Sequence, residues 1–191
     1  MKEQVYRASA YSLLAALLRE PPGQPLLDHL QQLSPDGDAE SDELLEAMRQ
    51  LSENAAKFTP EQIDDEYHAL FIGLGRGELV PYGSWYLTGF LMEQPLSDLR
   101  DDLRALGFER SPETVEPEDH AAAIFEVFSV MINDNSSLEM QQQFFDKHMK
   151  PWLERFFTDL EKARSAEFYQ PVARFGAAFI ELENTYLSMR S

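Results

Sequence analysis

The stretch VYRASAYSLLAALLREPPG, residues 5–23, decides the fold class. Val5, Ala8, Tyr11, Ser12, Ala15, Ala16 and Leu18 fall on one stripe at helical spacing. Pro21, Pro22 and Gly23 then stop the helix, because proline lacks an N–H and clashes with the preceding turn. The same punctuation recurs down the chain. Pro25 opens a short second helix through Leu26, Leu27, Leu30 and Leu33. Residues 34–38 read as a turn. Ser41 is expected to cap a third helix carrying Leu44, Leu45, Met48, Leu51 and Ala55. Thr59-Pro60-Glu61-Gln62 has a Thr cap, Pro at the first helical position and Gln at the third. The helix it starts carries Ile63, Tyr67, Leu70 and Phe71 and ends at the glycines of residues 73–77.

Glu78–Ser84 is a loop around Pro81, and helices are expected over Trp85–Met92 and Leu96–Leu106. Phe108–Val115 is polar and reads as an exposed linker or hinge. Pro117 is expected to open a helix through Phe125, Phe128 and Ile132, with Glu118 and Asp119 at the positive end of its dipole. Residues 133–137 close that helix and cap the next. Further helices are expected over Leu138–His148, Pro151–Arg164 and Phe168–Met189. Alternation of β-branched residues is nearly absent, and no internal repeat is visible. The expectation is one all-α domain over residues 1–191, a compact helical bundle of about nine or ten helices.

The balance is acidic, with 16 Lys and Arg against 34 Asp and Glu, a net charge of −18. That disfavours nucleic acid and anionic membranes and favours a basic partner. The excess lies wholly before Asp146: residues 1–145 carry 9 bases and 27 acids, and residues 146–191 carry 7 of each. There is no cysteine, so disulfides, thiolate metal sites and a cysteine nucleophile are excluded. No apolar run approaches the roughly 18 residues that span a bilayer, and the amino terminus does not read as a signal peptide. A cytoplasmic location is expected.

Enzyme motifs are largely missing. No His-Glu-x-x-His and no Gly-x-Ser-x-Gly occurs. The glycines of residues 73–77 follow a helix and lack the Lys of a phosphate loop. A di-iron bundle needs two Glu-x-x-His-like pairs, and only Asp65-x-x-His68 comes close. No metal site or cofactor is expected. Asp119-His120 invites an acid–base reading, with Ser84 as the nearest nucleophile candidate. Neighbours on a helix point about 100° apart, however, and do not form a dyad by themselves. Asp119 can instead accept from backbone N–H groups or from an arginine. Val80–Tyr86 concentrates aromatics beside a Pro-stiffened turn. With Tyr67, Leu70 and Phe71 it can line a groove for an apolar peptide, although core packing is the simpler fate of Leu70 and Phe71. Phe144–Phe156 reads as a structural helix corner.

Four segments in this order resemble the redox enzyme maturation proteins of the TorD/DmsD type. They are Tyr67-x-x-Leu70-Phe71-x-Gly73, Pro81-Tyr82-x-Ser84-x-Tyr86, Glu116-Pro117-x-Asp119-His120, and His148-x-x-Pro151-Trp152 with Phe156. Met149 departs from the usual Leu but stays apolar. The resemblance implies a non-catalytic, all-helical cytoplasmic chaperone, monomeric or a domain-swapped homodimer. Its clients would be the twin-arginine leader and the apo form of a molybdoenzyme catalytic subunit. It would assist insertion of the molybdenum cofactor and delay export. Carried over residue by residue, the signal-peptide-binding set is Tyr67, Leu70, Phe71, Pro81, Tyr82, Ser84, Tyr86, Glu116, Asp119 and His120. Three rival readings stand beside it: a nitrate-reductase-type assembly chaperone for a client that is not exported, a hydrolase using Asp119 and His120, and a general acidic adaptor that uses only its charged face.

Overall fold

The computed structural model describes residues 2–33, 42–73, 76–109 and 116–190. Among them the chain forms ten α-helices and no strand. In order these are α1 (Lys2–Arg19), α2 (Gln24–Gln31), α3 (Glu43–Ala55), α4 (Pro60–Tyr67), α5 (Gly83–Thr88), α6 (Gln94–Ala105), α7 (Ala121–Asn133), α8 (Leu138–His148), α9 (Lys150–Lys162) and α10 (Tyr169–Arg190). α4 runs on into a π-helical turn, His68–Ile72, that ends at Gly73 with φ 61°. Only glycine adopts that angle without strain.

α1 packs along α7, and α10 packs between α3 and α9. Small residues let α1 and α7 approach. The Ser129 hydroxyl donates to the Ala8 carbonyl at 3.0 Å and accepts from Ser12 at 2.8 Å. Tyr11 lies fully buried with its ring 4.8 Å from both Phe128 and Phe179. Where α9 meets α10, a Cβ on Gly176 would fall 2.2 Å from the Phe157 ring, so only glycine fits there.

Three polar ties fasten distant segments. Arg7 of α1 makes a two-pronged buried pair with Glu183 of α10, both contacts at 2.7 Å, and Tyr11 adds a bond to the same carboxylate. Glu66 of α4 accepts the N–H groups of Glu167, Phe168 and Tyr169 at 2.8–2.9 Å, capping the start of α10. Glu78 accepts those of Arg164 and Ser165 beyond α9. These backbone N–H groups hold the Glu78 carboxyl below its ordinary pKa, against the opposing effect of burial.

Several expected boundaries shift. The Thr59 capping box is present as read. Ser41 lies outside the described residues, and the cap of α3 is Asp42, whose side chain accepts from Leu44 and Leu45 N–H. The helix expected over Trp85–Met92 stops at Thr88. Gly89 turns left-handed there, and the Thr88 hydroxyl bonds to the Ser84 carbonyl and to Phe90 N–H. Most of the expected hinge, residues 110–115, also lies outside the described residues.

Candidate functional site

Two of the motif segments, 35 residues apart in the chain, are stitched into one unit. Tyr82 and His120 form an isolated antiparallel bridge. Gly83 N–H donates to the Asp119 carbonyl and Ala121 N–H to the Pro81 carbonyl, each at 2.9 Å. Asp119 Oδ2 accepts Ser84 N–H at 2.8 Å, and the Tyr82 hydroxyl donates to the Glu116 carboxylate. The Tyr82 ring meets the His120 ring edge-on at 5.0 Å. Burial, then the Glu116 carboxylate, pushes the Tyr82 phenol up.

This seam corrects the expected helix start. α7 begins at Ala121, not at Pro117. Asp119 turns inward to take the Ser84 N–H, so His120 stays extended and its imidazole does the capping. His120 Nδ1 accepts Ala122 N–H at 3.1 Å. Because Nδ1 accepts, the neutral ring carries its proton on Nε2. Burial pushes the His120 pKa down to about 4. Asp119 and His120 form no acid–base pair: each is committed to a different backbone N–H.

A groove of about 940 Å³ opens beside the seam, between the end of α1, α6 and α7. Leu103, Phe108, Ala123, Val127 and Val130 line its apolar part. Glu109, Glu116, Glu118 and Glu126 supply carboxylates, and His120 lines it too. Its arginines are engaged: Arg19 with Glu126, Arg100 with Glu118, and Arg104 with Asp101.

The structure thus sorts the predicted residues. Glu116 and His120 line the groove, and Tyr82 is bonded to the first and packed on the second. Pro81, Ser84 and Asp119 are buried in the seam. Leu70 is fully buried core. Tyr67 donates to the carbonyls of Leu18 and Arg19, closing the end of α1, and burial raises its pKa to about 12. Phe71 packs on Tyr67 and Tyr169. Tyr86 anchors α5 on Trp152 and Phe156 of α9.

Sequence reading missed the α6 wall and the valines of α7. A signal for the valines was present: α7 is apolar around nearly its whole circumference, and such a helix either is buried all round or offers a face to a ligand. Of the Asp65-x-x-His68 spacing, His68 turns its Nδ1 to the Asp64 carbonyl at 2.9 Å. No described helix is long and apolar enough to cross a membrane.

The family described as nitrate reductase delta subunit matches residues 35–158. The chain is 23% identical to the chaperone protein TorD of Vibrio atlanticus, over 95% of this chain and 94% of that protein. It is 26% identical to TorD of Aliivibrio salmonicida, over 66% of this chain and 65% of that one. It is 28% identical to the "probable Tat proofreading chaperone DmsD" of Haemophilus influenzae, over 59% and 56%. Its fold matches the crystal structure of a candidate redox enzyme maturation protein from Archaeoglobus fulgidus. That match has a TM-score of 0.61 and 20% identity, over 92% and 93% of the two chains. The family match covers well over half of the sequence, including the seam and all of the named groove lining except Arg19, and the chain belongs to the nitrate reductase delta subunit family as a redox enzyme maturation protein of the TorD/DmsD type.

Proposed function

We propose that this protein is a cytoplasmic chaperone for a molybdenum-cofactor oxidoreductase. It binds the twin-arginine leader and the apo form of the catalytic subunit, assists cofactor insertion and delays export. The observation that carries this reading is the groove, which joins an apolar floor to a rim of four carboxylates and three arginines. A twin-arginine leader has the matching order of parts, two guanidinium groups and then an apolar, helix-prone stretch. The apolar stretch fits Leu103, Phe108, Val127 and Val130. The guanidinium groups meet Glu116 and Glu118 in planar, charge-assisted contacts. With Nδ1 held in the cap, Nε2 of His120 is the nitrogen left to meet the peptide. The acidic surface steers the basic end in.

The ten predicted binding residues do not act alike in this reading. Tyr82, Glu116 and His120 touch the leader. Pro81, Ser84 and Asp119 hold the wall that carries them, and Tyr67, Leu70, Phe71 and Tyr86 fix its backing. The names of the TorD and DmsD relatives, one of them a Tat proofreading chaperone, support the same role.

Anisotropy titration of a labelled twin-arginine leader tests it. Saturable binding is expected, weakened by Glu116→Gln, by Val127→Asp and by replacing both leader arginines with glutamine. Failure of both leader and apoenzyme to bind overturns the reading. The family description also favours a second reading, a client that is not exported. Binding of apoenzyme with no binding of any leader would select it.

A further inference from the structure

α6 stands between two open spaces. Arg100, Leu103 and Arg104 line the groove, whereas Pro95, Asp98 and Leu99, on the opposite face of the helix, line a smaller cavity of about 160 Å³. A side chain that faces a void lacks partner atoms there, so α6 forgoes packing on two sides. The helix buries Leu96, Leu99 and Leu103, and Leu96 stands apart from the main core. α9, one residue longer, buries Leu153, Leu160 and the rings of Trp152, Phe156 and Phe157. The chief helical neighbour of α6 is α5, only six residues long.

The backbone flanking α6 is equally open. Residues 87–94 are exposed throughout and turn left-handed at Gly89 and Met92, with φ of 84° and 59°. For Met92 that angle is strained. Gly107, just past the other end, has φ 83°. A Cβ on Gly89 or on Gly107 would meet nothing within 4 Å, so the body crowds neither turn.

Two polar ties fasten this helix to the body. Asp102 Oδ2 accepts Lys147 Nζ and His148 Nε2 of α8, each at 2.6 Å. Arg100 Nε donates to Glu118 at 2.9 Å. The pairs Gln94–Asp98 and Arg104–Asp101 stay within α6 and hold it to nothing else. The other two walls of the groove differ. α1 and α7 are bonded to each other through Ser129, which meets both Ala8 and Ser12.

We infer that α6 is a gate: it opens as a unit, against the Asp102 and Arg100 ties, to admit a leader into the groove. The role of the gate rests on the leader-binding reading above, and the opening itself does not. A helical segment is about 10 Å across. Outward movement of α6 makes that width available without parting α1 from α7. A guanidinium that takes Glu118 replaces Arg100 there, so the leader gains more from the open gate than from the closed one. A ligand shifts an equilibrium only through such a difference. The closed gate lowers the leader's apparent affinity by the fraction of chains that are open.

Hydrogen exchange on the full chain, read by mass spectrometry, tests the opening. Without leader, α6 amides are expected to exchange at least about tenfold faster than those of α7 and α9, because they open locally. Asp102→Ala is expected to speed α6 by about tenfold more and to leave α9 unchanged. Arg100→Met, which breaks the other tie, is expected to act on α6 in the same direction. Stopped-flow mixing with a labelled twin-arginine leader tests the gate. Asp102→Ala is expected to raise the association rate several-fold. Steering alone predicts the reverse, since the variant loses an acid that attracts the basic leader. Exchange of α6 at the pace of α7 and α9 would overturn the opening, and an association rate unchanged or lowered by Asp102→Ala would overturn the gate. A leader that binds neither chain overturns the proposed function instead, and the exchange rates still decide whether α6 opens.

Discussion

Glu66, ahead of α10, and Asp119, ahead of α7, are both buried acids that reach a backbone from another segment. Glu66 spends both oxygens on three N–H groups. Asp119 spends one oxygen on one N–H and keeps the other unmatched. The first arrangement is complete and can only hold the fold. The second holds the fold with half of its capacity and leaves the other half unmatched. Burial does not distinguish the two carboxylates, and their hydrogen-bond count does.

The largest expected effect falls on the completed side. Glu66→Ala strips three buried donors of a charged acceptor and should remove about 3 kcal/mol or more of stability, read as a lower urea midpoint. A loss no larger than that of Asp119→Ala would break the contrast.

The seam should show itself next, through pH. Burial places His120 at about 4, against an ordinary value of 6.5. Between those values the unfolded chain holds a proton that the folded chain refuses. The stability is whole above pH 6.5 and drains as pH falls, by about 3 kcal/mol once pH reaches 4. His120→Asn keeps an acceptor for Ala122 N–H and should flatten that part of the stability curve. An unchanged slope in the variant would remove His120 as its source.

Asp119→Ala should cost about 1–3 kcal/mol by orphaning Ser84 N–H, while Asp119→Asn, which still accepts that bond, should stay within about 1 kcal/mol. Equal losses in the two variants would mean that the charge, not the seam bond, is what matters. Ser84→Ala should move stability by less than about 0.5 kcal/mol, the smallest effect of the set.

What could be read from the chain follows the range of the forces involved. The Thr59 box and the Ser137 cap are legible because their partners lie within one turn. Pro117 misleads because a tertiary bond from Asp119 to Ser84 outweighs the local signal and delays α7 by one turn. Trp85–Met92 looks like one helix because the left-handed turn at Gly89 is invisible to periodicity. The four motif segments were legible as an ordered set, yet that order does not say which member lies in the groove. Glu116 and His120 do, and Leu70 does not. The α6 wall was out of reach, since nothing near Arg100 or Leu103 marks them as facing α7.

The tie between Arg7 and Glu183 spans 176 positions of sequence. During synthesis α1 leaves the ribosome well before α10, so its buried guanidinium has no counter-charge until α10 emerges, and its apolar stripe waits for α7. α1 is therefore fully secured only once α10 has been made, and the nascent chain carries the apolar face of α1 uncovered until α7 follows it. Contacts of such long range close slowly, because the loop entropy is spent before the contact forms. A protein of this family, a chaperone by the names of its relatives, is itself exposed to misassembly while it is being made.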